Sequence, residues 1–256
     1  MDLRELKPIC EKLMTADTLD EIYSCCESVC SILGIDYFVY GSQSTASFVD
    51  PVWVILNGYP VNWIERYVES NYLVVDPIIE YCRKNMLPFS WDKLATAENK
   101  DKKVKQFMDE SRDFSLKYGI SFPIQSLSRD VALLSFASQK PIVKNENELL
   151  EMQLIGHYIS ISVHEAILKT FSTIHLDAKN AKLSKREKEC LLWIAEGKTS
   201  WEAAKIMNIA ERTVIFHLKN ASEKLDVVNR QQAVARAVSL GLIEPVSIKP
   251  PLIVLS

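Results

Sequence analysis

The chain contains no Cys-x-x-Cys pair, and its four histidines are scattered. That disfavours a zinc site, and the six cysteines (Cys10, Cys25, Cys26, Cys30, Cys82 and Cys190) are expected as reduced, mostly buried thiols. Adjacent Cys25 and Cys26 are expected on different faces of a helix. No apolar run approaches the roughly 18 residues of a membrane span. The opening stretch "MDLRELKPIC" is charged and has no apolar signal core, so a cytoplasmic chain without a membrane partner is expected. Internal repeats and low-complexity segments are absent too. Charge of one sign is also lacking: the net value is −3. Residues 184–244 carry ten Lys and Arg against eight Asp and Glu, or +2. Charge alone therefore does not define a nucleic-acid binder, and the residue pattern must do so.

What is present is a globular composition, 48% apolar and 25% charged, over 256 residues, enough for one large domain or two smaller ones. Residues 1–33 read as helices, ending at Gly34. "DYFVYG" and "VWVIL" read as strands. Helices are expected from near Pro60 and from Pro77 to about Lys84, with "LPFSWD" extended or loop. Residues 98–117 are helical in pattern, "GISFPI" and "DVALLSFA" are two more strands, and a long helix follows from about Asn147 to Phe171. Together these predict an α+β fold. Residues 1–170 would form a domain of helices on the faces of an antiparallel sheet. Residues 171–183 would be a linker, 184–244 an all-helical domain, and 245–256 a tail.

The C-terminal helices have clear local signals. Ser184 with Glu187, and Thr199 with Glu202, are capping boxes, in which a hydroxyl accepts from an exposed amide and the glutamate reaches back. Leu191, Ile194 and Ala195 are expected to form the first helix's apolar side. Two short helices joined by the turn Ile209–Ala210 form a helix-turn-helix pattern, and Asn229 with Gln232 can cap a fourth helix. In the recognition helix Val214, Leu218, Ala221 and Leu225 would face the core. Arg212, Phe216, Lys219 and Glu223 would face outward beside Ile215 and Asn220, a surface suited to a major groove. A helical bundle with a solvated charged face fits the same spacing equally well.

The stretch 184–243 resembles the DNA-binding domain of LuxR-type regulators, through Glu187, Leu191, Gly197, Thr199, Ala204, Val214, His217, Lys224, Leu225, Ala233, Ala237 and Gly241. The resemblance implies a four-helix domain that binds DNA as a homodimer, the fourth helix helping to pair the subunits. It makes Thr199, Arg212, Thr213, Ile215, Phe216 and Lys219 the candidate DNA contacts. Ile215 and Lys219 stand where some relatives read bases with arginines, and Ala210 stands where many have a capping serine. Lys198, Trp201 and Ile206 match positions linked to RNA polymerase contact, although Trp201 and Ile206 read equally as core.

"YPVNWIERYVESNYLVVDPI" has two readings. Tyr59, Trp63 and Tyr67 drift only about 80° around a helix, so they form one face, which is more often core than ligand wall. Asp76 before Pro77 is a good helix cap. Alternatively, two hydroxyls, an indole N–H and a carboxylate form a polar anchor in an apolar pocket. An N-acylated lactone offers two carbonyls, an N–H and an apolar tail to match. Here too the sequence resembles the family, in its autoinducer-binding domain, through this stretch, "LPFSW" and "KYGISFPI".

The resemblance implies an α/β/α sandwich and an N-acyl-homoserine lactone signal, with no cofactor. Trp63 would donate to the lactone carbonyl, Tyr59 to the acyl carbonyl, and Asp76 would accept from the amide N–H. Tyr67 and Trp91 would wall the site. Ser135, and in the same way Ser121, would supply a polar side chain to the acyl carbonyl, and Gly119 matches a characteristic glycine. The reading is thus a ligand-responsive transcription factor that binds an inverted repeat. A receptor for a non-lactone signal is the alternative. A lactone-processing enzyme ranks lower, because no His, Cys or second acid accompanies Asp76 in these motifs.

Overall fold

The computed structural model describes residues 3–44, 52–96, 102–125, 131–174 and 182–243. The chain divides into two compact units, Met1–Ile174 and His175–Ser256. Most of the expected linker and all of the expected tail, residues 175–181 and 245–256, lie outside the described residues.

The first unit is built on a five-stranded antiparallel sheet of order β2-β1-β5-β4-β3. Its strands are β1 (Tyr37–Ser44), β2 (Val52–Asn57), β3 (Phe89–Ser90), β4 (Tyr118–Gln125) and β5 (Val131–Ser138). The central strands β4 and β5 are apolar almost throughout because both faces are covered. Even-numbered positions, such as Phe122, Leu134 and Phe136, pack under α1 (Leu3–Thr15), α2 (Leu19–Leu33) and α7 (Glu146–Ile174). Odd-numbered positions such as Leu133 and Ala137 face the other layer. That layer holds α3 (Val61–Glu69), the 3-10 turn Tyr72–Val74, α4 (Pro77–Lys84), α5 (Asp92–Thr96) and α6 (Lys102–Asp113). The result is the expected α/β/α sandwich.

Local chemistry sets the helix ends. Thr18 and Glu21 form a capping box for α2, and Gly34 closes it in the left-handed region at φ 66°. Cys25 and Cys26 do not divide between a wet and a dry face: both are buried, because α2 is enclosed within the core that α1, α7 and the sheet share. Gly156 is needed in α7, since a Cβ there would lie 2.2 Å from the Phe122 ring. "LPFSWD" resolves into the short strand β3 and the start of α5.

The second unit contains α8 (Lys185–Ala195), α9 (Ser200–Met207), α10 (Glu211–Lys224) and α11 (Arg230–Ser239) around one apolar core. Both predicted capping boxes are formed, at Ser184 with Glu187 and at Thr199 with Glu202. Asn229 accepts from the Gln232 amide at α11. Ala210 is the N-cap of α10 and gives it no side-chain hydrogen bond. One expectation fails: Ala195 is exposed, and the buried side of α8 is carried instead by Glu187, Cys190 and Leu191.

Glu187 is buried and accepts from Lys224 Nζ with both carboxylate oxygens, at 2.9 and 2.8 Å, and from the Ser184 amide at 2.7 Å. One acid thus caps α8 and ties it to the end of α10. Burial pushes its carboxyl up, but Lys224 and the Ser184 amide outweigh that and hold it below the usual 4.5. Stability from this group is present above the ordinary glutamate value and is lost as pH falls through the lower folded value. Replacement Lys224→Met should cost about 1–3 kcal/mol, the low end being favoured because the ammonium is partly exposed. Thermal melting of the variant from pH 7 down to pH 3 should show a smaller loss with acid than in the parent.

Candidate functional site

Helix α3 lies over the odd-numbered face of the sheet and presents Trp63 and Tyr67 inward, with Tyr59 just before it. Asn57 holds the turn into α3: its Nδ2 donates to the Tyr59 carbonyl at 3.1 Å, and its Oδ1 accepts from the Tyr59 amide at 3.0 Å. Between this helix, the sheet and α6 lies a cavity with about 810 Å³ of empty space, its mouth included. The wall is overwhelmingly apolar, and Tyr59, Trp63, Tyr67, Asp76, Trp91 and Ser135 all line it. The aromatic face and the acid therefore meet at one site, joined there by Trp91 and Ser135 from distant parts of the sequence.

Asp76 satisfies both readings of its position. Its Oδ1 accepts from the Ile78 amide at 2.8 Å as the cap of α4, and its Oδ2 accepts from Tyr67 Oη at 2.9 Å in the cavity wall. Burial is the main influence on its carboxyl and pushes it up to about 6, against the lowering effect of these donors. Tyr59 Oη is buried and makes no hydrogen bond, although Ser135 lies near enough to influence it. Burial and the Asp76 charge both raise the Tyr59 hydroxyl, so it stays protonated. Trp63 is 2% exposed and is set by Phe107 and Phe114, with ring centroids 5.6 and 5.4 Å away.

On the sheet side, Trp91 Nε1 donates to Ser121 Oγ at 2.8 Å, and Ser121 shares a 2.7 Å hydrogen bond with Ser135, its cross-strand partner. Ser121 does not line the cavity. It lies beside Ser135 on the neighbouring strand and accepts from the Trp91 indole. Gly119 supports the same indole: a Cβ there would lie 2.3 Å from the Trp91 ring.

Several lining residues were not singled out from the sequence, among them Trp53, Phe107, Met108 and Leu133. Inward alternation on β2 and β5 marks Trp53 and Leu133, and Phe107 and Met108 are the apolar pair in a charged helix. The bidentate pair of Arg66 with Glu110, at 2.7 and 2.9 Å, joins α3 to α6. Arg66 first, then Gln106, holds the Glu110 carboxyl down at about 2.

In the second unit Arg212, Ile215, Phe216 and Lys219 are exposed on α10, and Thr213 is half-buried. Lys219 pairs with Glu223, at 3.8 Å on the same helix. Thr199 Oγ1 accepts from the Glu202 amide and donates to its carboxylate, so its hydroxyl proton is committed to the cap. Trp201 and Ile206 are 55% and 47% exposed, which removes the core reading, and Lys205 Nζ lies 5.6 Å from the centre of the Trp201 ring.

A sandwich with an apolar cavity holding a few convergent polar groups, and a separate helix-turn-helix unit, define a ligand-responsive transcriptional regulator. Residues 18–167 match the autoinducer binding domain model, and residues 181–237 match that of the bacterial regulatory proteins of the LuxR family. The chain belongs to the LuxR family. It is 37% identical to the transcriptional activator protein AnoR of Acinetobacter nosocomialis over 229 residues, 88% of this chain and 92% of that protein. It is 29% identical to the transcriptional activator protein LuxR of Aliivibrio fischeri, over 92% of this chain and 93% of that one. Escherichia coli SdiA has the same fold, with a TM-score of 0.79 and 26% identity over 94% of this chain and 98% of that one. SdiA in complex with octanoyl-rac-glycerol gives a TM-score of 0.78 and 27% identity over 94% and 96%. AnoR and LuxR are transcriptional activator proteins, not enzymes. No described helix is long and apolar enough to cross a membrane.

The Gly119–Trp91 contact yields a direct test. Gly119→Ala should push the indole off Ser121 and into the cavity, costing about 1–3 kcal/mol as an overpacked site. Melting of the variant, together with the Trp fluorescence of the ligand-free protein, reads both effects. An unchanged melt and spectrum would show that the backbone yields instead.

Proposed function

We propose that the chain is a receptor for an N-acyl-homoserine lactone that, as a dimer, binds an inverted-repeat promoter site in the cytoplasm. The observation that carries this reading is the gathering of Tyr59, Trp63 and Asp76 around one apolar cavity, with the Tyr59 hydroxyl buried and unused. Trp63 would donate to the lactone carbonyl and Tyr59 to the acyl carbonyl. Asp76 would accept from the amide N–H, for which each of its oxygens retains a lone pair after its existing bond. Ser135 would assist at the acyl carbonyl, with Ser121 and Trp91 holding it in place, and the apolar wall would take the tail.

Signal binding can act only through its differential affinity for the DNA-competent state. Arg212, Thr213, Ile215, Phe216 and Lys219 would meet DNA, with Thr199 at the adjacent helix end. Val238 leaves α11 half exposed, which supports subunit pairing through that helix. The exposed set Lys198, Trp201 and Ile206 would meet RNA polymerase. A second reading, a non-lactone signal, draws support from SdiA, described in complex with octanoyl-rac-glycerol. A glycerol head has hydroxyls to donate to Asp76 but no amide. Mass spectrometry of the ligand extracted from protein made with both compounds present separates the two.

The Asp76 carboxyl supplies a pH test. Its folded value is raised from 3.8 to about 6, so its stability contribution in the signal-free protein is present below pH 4 and lost as pH rises through about 6. Tyr59, Tyr67 and Cys82 around it are all pushed up and stay protonated in that window. An N–H donor favours the ionised form, so lactone affinity should rise as pH passes through about 6. Asp76→Asn should flatten that rise and weaken binding about ten- to a hundredfold, the worth of a hydrogen bond to a charged group. Calorimetric titration from pH 5 to 7 checks it, and a pH-dependent Asn variant would sink the assignment.

Lys219 should read a base. Lys219→Ala should then cost about 1–3 kcal/mol on the cognate site and relax preference at one position per half-site, with half-sites centred about 10 bp apart. A uniform loss on all sequences, with a shallower salt dependence, would assign it to phosphate. Selection from random DNA with both proteins decides.

A further inference from the structure

We propose that Met108 sets which head group the signal carries, by closing the signal cavity against a second depression whose lining holds two cations and one acid. The inference rests on the reading of the first cavity as the signal site. The second depression lies in the same unit and shares two wall residues with the cavity, Trp91 and Met108. Its lining includes Ile142 and Val143, the cations Arg112 and Lys117, and one acid, Asp92, so the cations outnumber the acid by one.

The two shared residues are held very differently. Trp91 is fixed: its amide donates to the Gly119 carbonyl at 2.9 Å, its indole to Ser121 at 2.8 Å, and its face rests on Gly119 where no Cβ fits. Met108 is half-buried and is a long thioether with three rotatable bonds, which adapts to what lies beside it. The helix phase of α6 explains its place. Phe107 and Ser111, four residues apart, line the signal cavity, whereas Arg112, four residues after Met108, lines the second depression. Met108 stands on the border between these faces.

On the proposed placement of the lactone, the border falls at its head-group end. Trp63, the proposed donor to the lactone carbonyl, packs against Phe107, the neighbour of Met108. A closed lactone is compact and neutral and ends at this wall. Hydrolysis of the ring turns the same signal into an N-acyl-homoserine, which is longer and carries a carboxylate. That anion would be repelled by Asp76 if confined to the first cavity, and its route to Arg112 and Lys117 is blocked by the Met108 side chain. Arg112 pairs with Asp109, exposed and at 2.9 Å, and such pairs exchange readily with other anions. Met108 thus makes the receptor blind to spent signal.

The test titrates the full-length protein with N-octanoyl-homoserine lactone and with N-octanoyl-homoserine at pH 6.5, following tryptophan fluorescence. Met108→Ala should narrow the lactone-to-acid affinity ratio by about tenfold or more, through a gain for the acid, as expected when a few methylenes of a pocket wall are removed. Met108→Val should narrow it less, and it keeps the inference testable if the alanine variant folds poorly. Changing Arg112 and Lys117 to alanine in the Met108→Ala background should restore the parent ratio. An unchanged ratio in variants that still bind the lactone, or a gain that survives loss of both cations, overturns the inference. Failure of the parent protein to bind the lactone is a different result and overturns the signal-site reading, with this inference along with it.

Discussion

Asp76 is a carboxylate kept out of water, and burying a charge is costly unless hydrogen bonds replace the lost solvent. The first unit meets that constraint with two donors from different elements, the Ile78 amide of α4 and the Tyr67 hydroxyl of α3. The arrangement fixes both helices relative to the sheet, because neither donor can move without exposing the charge. Burial outweighs these donors, which is why the Asp76 carboxyl sits near 6. A further donor on a ligand would complete the set. The choice between helix cap and pocket anchor, open in the sequence, is therefore no choice in the structure: two oxygens serve two roles.

The cavity itself follows from unequal residue size on the two faces of one sheet. Towards α2 and α7 the central strands project Phe122, Leu134 and Phe136, which fill the layer completely. On the opposite face β1, β4 and β5 carry Gly41, Gly119, Ser121, Ser135 and Ala137 among larger residues such as Val39 and Leu133. Small residues there cannot reach α3 and α6, and the aromatics of those helices are held apart by the Arg66–Glu110 pair and by packing with one another. A well-packed interior leaves few voids of this size. Here the void lies beside a buried acid and an unused hydroxyl, so it reads as a site and not as a packing defect.

Much of this was legible in the sequence, for identifiable reasons. Runs rich in aromatic and β-branched residues gave the strands, and the capping boxes at Ser184 and Thr199 gave helix starts in the second unit, since both signals are local. Helical spacing put Tyr59, Trp63 and Tyr67 on one face, but only the family resemblance joined them with Asp76 as a set, since Asp-Pro alone reads as a helix cap. What escaped depends on tertiary contact. The role of Ser121 as support for Trp91 follows from cross-strand register, and Ala195 was misplaced because the buried face of α8 is set by Glu187 reaching Lys224, a charged residue on what looked like the polar side. Cys25 and Cys26 likewise became neighbours in one core because α2 is covered on more than one side.

The energetics connect these features without requiring any particular arrangement of the two units. In the signal-free protein a buried hydroxyl without a partner and a strained carboxylate both lower stability. A ligand that satisfies them binds the folded unit and not the unfolded chain, so it stabilises the fold by mass action, about 2.7 kcal/mol at a hundred times its Kd. That is a large share of the marginal stability of a domain of this size. The second unit meets its own needs through the Glu187–Lys224 tie, leaving the outer face of α10 uncommitted except for one exposed lysine–glutamate pair. Signal control would then rest on the unit with unmet polar groups, and recognition on the unit whose polar groups are already paired.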